Sequence, residues 1–226
     1  MTELLFERVD ASDENVLAIR GMVADDLTRM GVNSTDAKDF AMNKQALIDQ
    51  ARRLRDHRSQ YFGGFIANRL VAVSRINEWT ARDQRNFAQS TPERHWLSLM
   101  SRVGNHVWGS PVGIHSLIVS RDLSTLDASV AQETFLKRAL DKADREKKEV
   151  RIALQPSDPL RLSLIQEDFH RVTRDGDPLI GRPLPAFPDV TTELYNRPVH
   201  GFMYHFKEGV KEGYKELERK ADRDES

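Results

Sequence analysis

The stretch from Ile114 to Leu154 constrains this chain more than any other. Ile114-His115-Ser116-Leu117-Ile118-Val119 lacks the polar alternation of a half-exposed strand, which predicts a strand covered on both faces. Val150-Arg151-Ile152-Ala153-Leu154 predicts a second strand. Between them, Ser124-Thr125-Leu126-Asp127 reads as a capping box that opens a helix running to about Lys147. Ala131, Phe135, Leu136, Ala139, Leu140 and Ala143 recur on one face of that helix. Two strands joined by one helix imply a right-handed crossover and parallel pairing. A parallel pair needs cover on both faces, so the rest of the chain has to supply it. Asp158-Pro159 opens a further helix, with Leu164, Ile165, Phe169 and Val172 inward.

Upstream, residues 3–9 read as a short strand. Ser12 or Asp13 caps a helix that buries Val16, Ile19, Val23, Leu27 and Met30, and Gly31 stops it. A second helix is expected from Thr35 or Asp36 to about Asp56, with Phe40, Leu47, Ile48, Ala51 and Leu54 inward. Its Arg52, Arg53 and Arg55 form either a solvated face or a site for an acidic partner. Residues 61–67 and 70–76 read as a hairpin turning at Asn68-Arg69. Residues 78–111 interrupt the pattern; Thr91-Pro92-Glu93 starts a helix there that continues through Trp96, Met100, Val103 and Val107. The proline-rich residues 174–198 read as a loop, Val199 to Phe206 as a late strand, and the Lys- and Glu-dense tail as a helix with an apolar stripe. The expected organisation is one domain over 1–206, with an insertion at 78–111, and a charged tail over 207–226.

Composition closes off several functions. There is no cysteine, which excludes disulfides, thiolate metal sites and cysteine nucleophiles. Thirty-four Lys and Arg against 35 Asp and Glu argue against a chain whose main task is binding nucleic acid. No apolar run reaches the roughly 20 residues that span a bilayer, so no membrane role is expected. The start turns polar too early for a secretory leader, and the expected compartment is the cytoplasm. His200 and His205 fall on opposite faces of a strand and make a poor metal pair, so no metal is expected.

The order strand, two helices, hairpin, strand, helix, strand, helix, late strand resembles the GNAT family of acyl-CoA-dependent N-acetyltransferases. The local text His115-Ser116-Leu117-Ile118-Val119-Ser120-Arg121 is similar to the fourth strand of its arylalkylamine-type members. The resemblance covers residues 3–77 and 112–206. It implies an α/β (α+β) fold with a mixed central sheet of about six to seven strands flanked by helices, and a helical insertion between strands 3 and 4. It implies acetyl-CoA or another acyl-CoA as co-substrate, and a small-molecule or peptide amine as acceptor.

In that family the fourth and fifth strands splay apart and admit the pantetheine arm, while the next helix start binds the diphosphate. By resemblance, the cofactor-binding residues are Leu117, Ile118, Val119, Arg121, Ser124, Thr125, Ser129 and Asp158. The chain departs from the glycine-rich family pattern. Ser124 stands at the arginine, Asp127 at the middle glycine and Ser129 at the last small position; the alternative register from Arg121 puts Ser124 and Leu126 at the glycines. At about 5 Å and an effective dielectric of about 20, a carboxylate at the glycine position would repel each phosphate charge by roughly 3 kcal/mol. Asp127 facing away in its capping box would avoid this. Leu164 stands where the family places a tyrosine acid, and leucine donates no proton.

His115 is the first candidate for the general base, with Glu78 and Tyr61 as alternatives, against the plainer reading of a histidine satisfied in the sheet core. Tyr61, Arg75, Glu78, Trp79 and Trp96 are candidate acceptor-site residues, and aromatic walls with Arg75, Arg82 or Arg94 nearby favour a flat or anionic acceptor. A late exposed strand could pair across a homodimer. The competing function is a GNAT-like domain that has lost its donor and serves as a binding or regulatory module.

Overall fold

A computed structural model describes residues 4–56, 59–80, 83, 110–174, 177–181, 184 and 186–199. Strand β1 (Leu5–Arg8) leads into helix α1 (Asp13–Arg29), which Ser12 caps by accepting from the Asn15 N–H. Gly31 ends it at φ +89°, a left-handed conformation that costs glycine little. The helix expected over 35–56 is two helices, α2 (Ser34–Met42) and α3 (Lys44–Arg55). Asn43 divides them. Its backbone is extended, its Oδ1 accepts from the Ala46 N–H at 2.9 Å, and its Nδ2 donates to the Phe40 carbonyl at 2.9 Å. Asparagine offers the backbone these alternatives to a continuous helix. The break turns Ile48 outward rather than into the core. Arg52, Arg53 and Arg55 lie on the exposed face.

Strands β2 (Gln60–Ile66) and β3 (Arg69–Glu78) form the expected hairpin, one residue earlier than the sequence suggests. The turn is Ala67-Asn68, with φ of 47° and 64°. Two successive left-handed residues make a turn whose twist matches the strands. Strand β4 (Val112–Val119), helix α4 (Thr125–Glu146) and strand β5 (Val150–Leu154) follow as the sequence predicts. The buried face of α4 is the predicted set from Ala131 to Ala143. Helix α5 (Leu160–Gln166) buries Leu164, but Ile165 is exposed, because the helix is two turns long and only one edge reaches the core.

The segment expected to be a loop holds short strands β6 (His170–Arg171), β7 (Thr173–Arg174), β8 (Asp177–Pro178) and β9 (Ile180–Gly181), and then β10 (Thr192–Arg197). The expected strand from Val199 falls outside the described residues from position 200 onward, as do the tail and most of the 78–111 insertion with Trp96 and Trp108. Among the described residues, eight strands form one sheet in the order β1-β2-β3-β4-β5-β10-β6, with β9 also beside β10; β7 and β8 pair separately. Every pairing in the large sheet is antiparallel except β4 with β5. One face is closed by α4, whose Phe135, Leu136 and Ala139 pack with residues of β3, β4 and β5. The other face packs Val16, Ile19 and Met22 of α1 and Leu54 of α3 on Tyr61, Val73 and Ile118.

Ala67 bears a side chain in a left-handed position that costs such a residue about 1 kcal/mol. Ala67→Asn is expected to raise stability by about 0.5–1 kcal/mol and the melting temperature by about 1–4 °C, read by thermal unfolding.

Candidate functional site

The parallel ladder between β4 and β5 joins only Val112–Ile114 to Val150–Ile152. Past Ile114 the strands separate, although β4 runs on to Val119 beside β3 and β5 runs on to Leu154 beside β10. A cleft of about 420 Å³ opens in the gap. Residues 114–119 of β4 and 152–154 of β5 form its walls, with Gln155, Ser157, Asp158 and Thr192 beyond β5. Asp26, Arg29 and Met30 at the end of α1 stand over it. A strand edge without a partner strand presents backbone N–H and C=O groups to whatever enters.

The register between β3 and β4 slips at the start of the gap: Arg75 faces Ser116 and Ile76 faces Ile114, leaving His115 as the extra residue of a β-bulge. Bulges re-aim side chains. The His115 imidazole stacks on Trp79, with ring centroids 5.6 Å apart and planes 15° apart. Gly113 makes the stack feasible, since a Cβ there would lie 2.7 Å from His115 Nε2 and 3.1 Å from the indole. His115 Nε2 is 3.3 Å from the Glu78 carbonyl oxygen, and Nδ1 is 3.6 Å from Asp83 Oδ1. The carbonyl only accepts, so the neutral ring is assigned its proton on Nε2 and its lone pair on Nδ1. Burial, helped by the nearby Arg75 charge and opposed by Asp83, pushes the imidazole pKa down to about 4.

The other predicted residues divide. Leu117, Ile118, Val119 and Asp158 line the cleft with His115. Arg121, Ser124, Thr125 and Ser129 lie outside its lining. Arg121 turns back to α1, donating to the Asp25 carbonyl at 2.9 Å. Ser124 caps α4; its hydroxyl donates to Asp127 Oδ2 at 2.7 Å and accepts from the Asp127 N–H at 3.1 Å. The Asp127 carboxylate therefore stays at the helix start, held within its own cap. Thr125 is exposed, and Ser129 bonds Glu133 at 3.3 Å. Tyr61 is buried in the α1-facing core, and Glu78 pairs with Lys148 at 3.4 Å. Trp96 is outside the described residues.

Sequence reasoning missed Asp26, Arg29, Gln132, Gln155, Thr192 and Asp83, which meet the site through tertiary contact and carry no local signal. Burial raises the pKa of both Asp26 and Asp158, and Asp158 adds to the effect on Asp26. Arg29 donates to Asp26 at 2.7 Å and to the Val119 carbonyl at 3.5 Å. Among the described residues no three His, Asp or Glu converge as a metal site, and no helix is long and apolar enough to cross a membrane.

The solved structures that share this architecture include two with a TM-score above 0.5. FeeM, an N-acyl amino acid synthase from uncultured soil microbes, aligns at a TM-score of 0.54 and 14% identity over 88% of this chain and 92% of its own. A GNAT-family protein from Desulfovibrio desulfuricans aligns at 0.51 and 11% identity over 87% of this chain and 99% of its own. The chain has the GNAT fold. No family model matches the sequence, and no curated protein matches it either. In this GNAT frame the gap between β4 and β5 holds the cleft, and His115 sits at its inner end.

The depressed His115 pKa has a consequence for stability. The unfolded state takes up a proton near pH 6.5 while the folded ring does so only near 4, so stability is fully present above 6.5 and falls as pH drops between those values. His115→Gln is expected to flatten that limb by up to about 3 kcal/mol, measured as the difference between variant and parent in urea unfolding from pH 7 to pH 4.

Proposed function

We propose that this chain is an acyl-CoA-dependent N-acyltransferase, with acetyl-CoA as donor and the primary amine of a small molecule or peptide as acceptor. The observation that carries this reading is the short parallel ladder, which leaves an open cleft and unpaired strand edges where the GNAT fold has its characteristic splay. A pantetheine arm is an extended chain with amide groups, and it suits such a backbone edge. Leu117, Ile118 and Val119 would meet the arm, and Asp158 stands at the β5 side of the same gap.

His115 is the proposed general base. Its lone pair on Nδ1 lies beside the Asp83 carboxylate, so the two groups together can take and hold one proton. The acceptor ammonium gives a proton to His115, directly or through a water. The amine nitrogen then forms a bond to the thioester carbonyl carbon. The carbon–sulfur bond breaks, the nitrogen of the new amide releases its second proton to water, and the leaving thiolate takes a proton from imidazolium or water. Backbone N–H groups of β4 would polarise the carbonyl. Leu164 is fully buried in the core and supplies no proton.

The second reading, a binding or regulatory module, is favoured by the closed cap at Ser124 and Asp127, which occupies donors that would otherwise meet a diphosphate. Melting separates the two. At 100 times its dissociation constant, acetyl-CoA is expected to add about 2.7 kcal/mol, an upward shift of about 5–10 °C; absence of any shift across a panel of acyl-CoA thioesters favours the module. His115→Ala is expected to lower kcat by about 10²–10⁴-fold with acetyl-CoA binding retained. Asp127→Asn leaves the Ser124 cap in place and removes a carboxylate already held within it, so CoA binding is expected to change by less than about twofold at low or high salt, as titration calorimetry would show.

A further inference from the structure

Arg75 is a half-buried charge without a counter-ion among the described residues. Its Nε is buried with no hydrogen-bond partner among the described residues, and no carboxylate among them forms an ion pair with it. The buried arginines elsewhere are all engaged. Arg20 donates to the Ala41 carbonyl at 2.7 Å, Arg151 pairs with Glu149 at 3.1 Å, and Arg197 pairs with Asp144 at 2.8 Å. A guanidinium withdrawn from water and left unpaired destabilises the fold, and it is tolerated where an anion completes it.

Its position says which anion. Arg75 lies on β3 between Tyr61 of β2 and Ser116 of β4; it is not itself part of the cleft lining, but its β4 neighbour Ser116 is, beside His115. Neighbouring strands lie about 5 Å apart, so Arg75 and His115 can both be reached by one small molecule. We infer that Arg75 binds the carboxylate of the acceptor, and that the acceptor is therefore an amino acid, its amine at His115 and its carboxylate on the guanidinium. This rests on the acyl-transfer reading of the cleft.

The planar guanidinium fork matches a carboxylate in a two-bond pairing that a lysine ammonium does not reproduce. The pairing also feeds back on the base. The Arg75 charge is one cause of the low proton affinity of His115, with Asp83 and the Glu78 carbonyl acting the other way. A bound carboxylate neutralises it, so His115 becomes a better proton acceptor when the acceptor is in place. An amine lacking the carboxylate leaves the base weak.

The test uses product-like probes, which need no turnover. N-acetyl-L-amino acids of differing side chain are each titrated against their own amides, in the parent, Arg75→Gln and Arg75→Lys, with acetyl-CoA melting shifts measured alongside. The expected result is at least one acid that binds tenfold or more tightly than its amide. Arg75→Gln should erase that preference while its melting temperature stays level or rises, and Arg75→Lys should restore part of it. A purely structural arginine would instead lower the melting temperature and leave any preference intact. Acids and amides binding within twofold, no acid binding at all, or a preference that survives Arg75→Gln overturns the inference. The parent's acid-to-amide comparison stands even if a variant misfolds. If acetyl-CoA binds while acids and amides bind alike, the transferase reading stands and the amino-acid acceptor falls. If an Arg75-dependent preference appears without any acyl-CoA shift, the anion site stands and the transferase reading falls.

Discussion

The short parallel ladder between β4 and β5 is the constraint from which the rest follows. Each of the two strands is fully committed on its far edge. β4 stays paired with β3 from Val112 to Val119 across the bulge at His115, and β5 keeps register with β10 along its whole length. Each strand therefore follows the twist of a different neighbour, and right-handed sheet twist carries them apart once the ladder stops. The bulge at His115 falls at the first residue past the ladder, and bulges sharpen twist locally. The cost is a pair of strand edges with unpaired backbone groups, which persists because the opening admits water or a ligand.

The part of the fold written in local pattern was legible. The crossover unit shows this best. Its strands are apolar runs, its helix carries Ser124 and Asp127 at the cap, and its buried face repeats at helical spacing. What misled was structure set by distant partners. β10 reads as polar loop because Thr192-Glu193-Leu194-Tyr195-Asn196-Arg197 lacks an apolar run. Yet Glu193 is buried and engaged by Arg161, Arg171 and the Tyr195 hydroxyl, and Arg197 is held by Asp144. The charged partners come from α5, β6 and α4, and no window of sequence around β10 contains all of them. The break at Asn43 was readable in principle, since asparagine is a strong cap, but the apolar spacing runs through it and favoured one long helix.

The site divides the same way. His115 could be singled out on its strand, and Trp79 and Arg75 by residue type. Their juxtaposition could not be read, because it depends on the bulge and on the open space at Gly113. Asp83 entered the site only through the fold. Asp26 and Arg29 are ordinary surface positions on a helical pattern until the end of α1 is laid over the cleft.

The electrostatic layout then has a direction. Over the cleft and beyond β5 stand Asp26 and Asp158, whose burial favours the protonated acids, with Arg29 between the Asp26 carboxylate and the Val119 carbonyl. The inner end holds His115, kept neutral, with Arg75 on the neighbouring strand and without an ion pair among the described residues. A neutral imidazole beside an uncompensated guanidinium is a poor base on its own, since accepting a proton would place two positive charges together in a partly dry site. Asp83 offsets only part of that repulsion. Balance arrives when a second negative charge reaches Arg75, which couples occupancy of the acceptor site to basicity of the group that must deprotonate it. The unpaired arginine is therefore better understood as half of an ion pair whose other half is brought by a ligand than as a defect of packing.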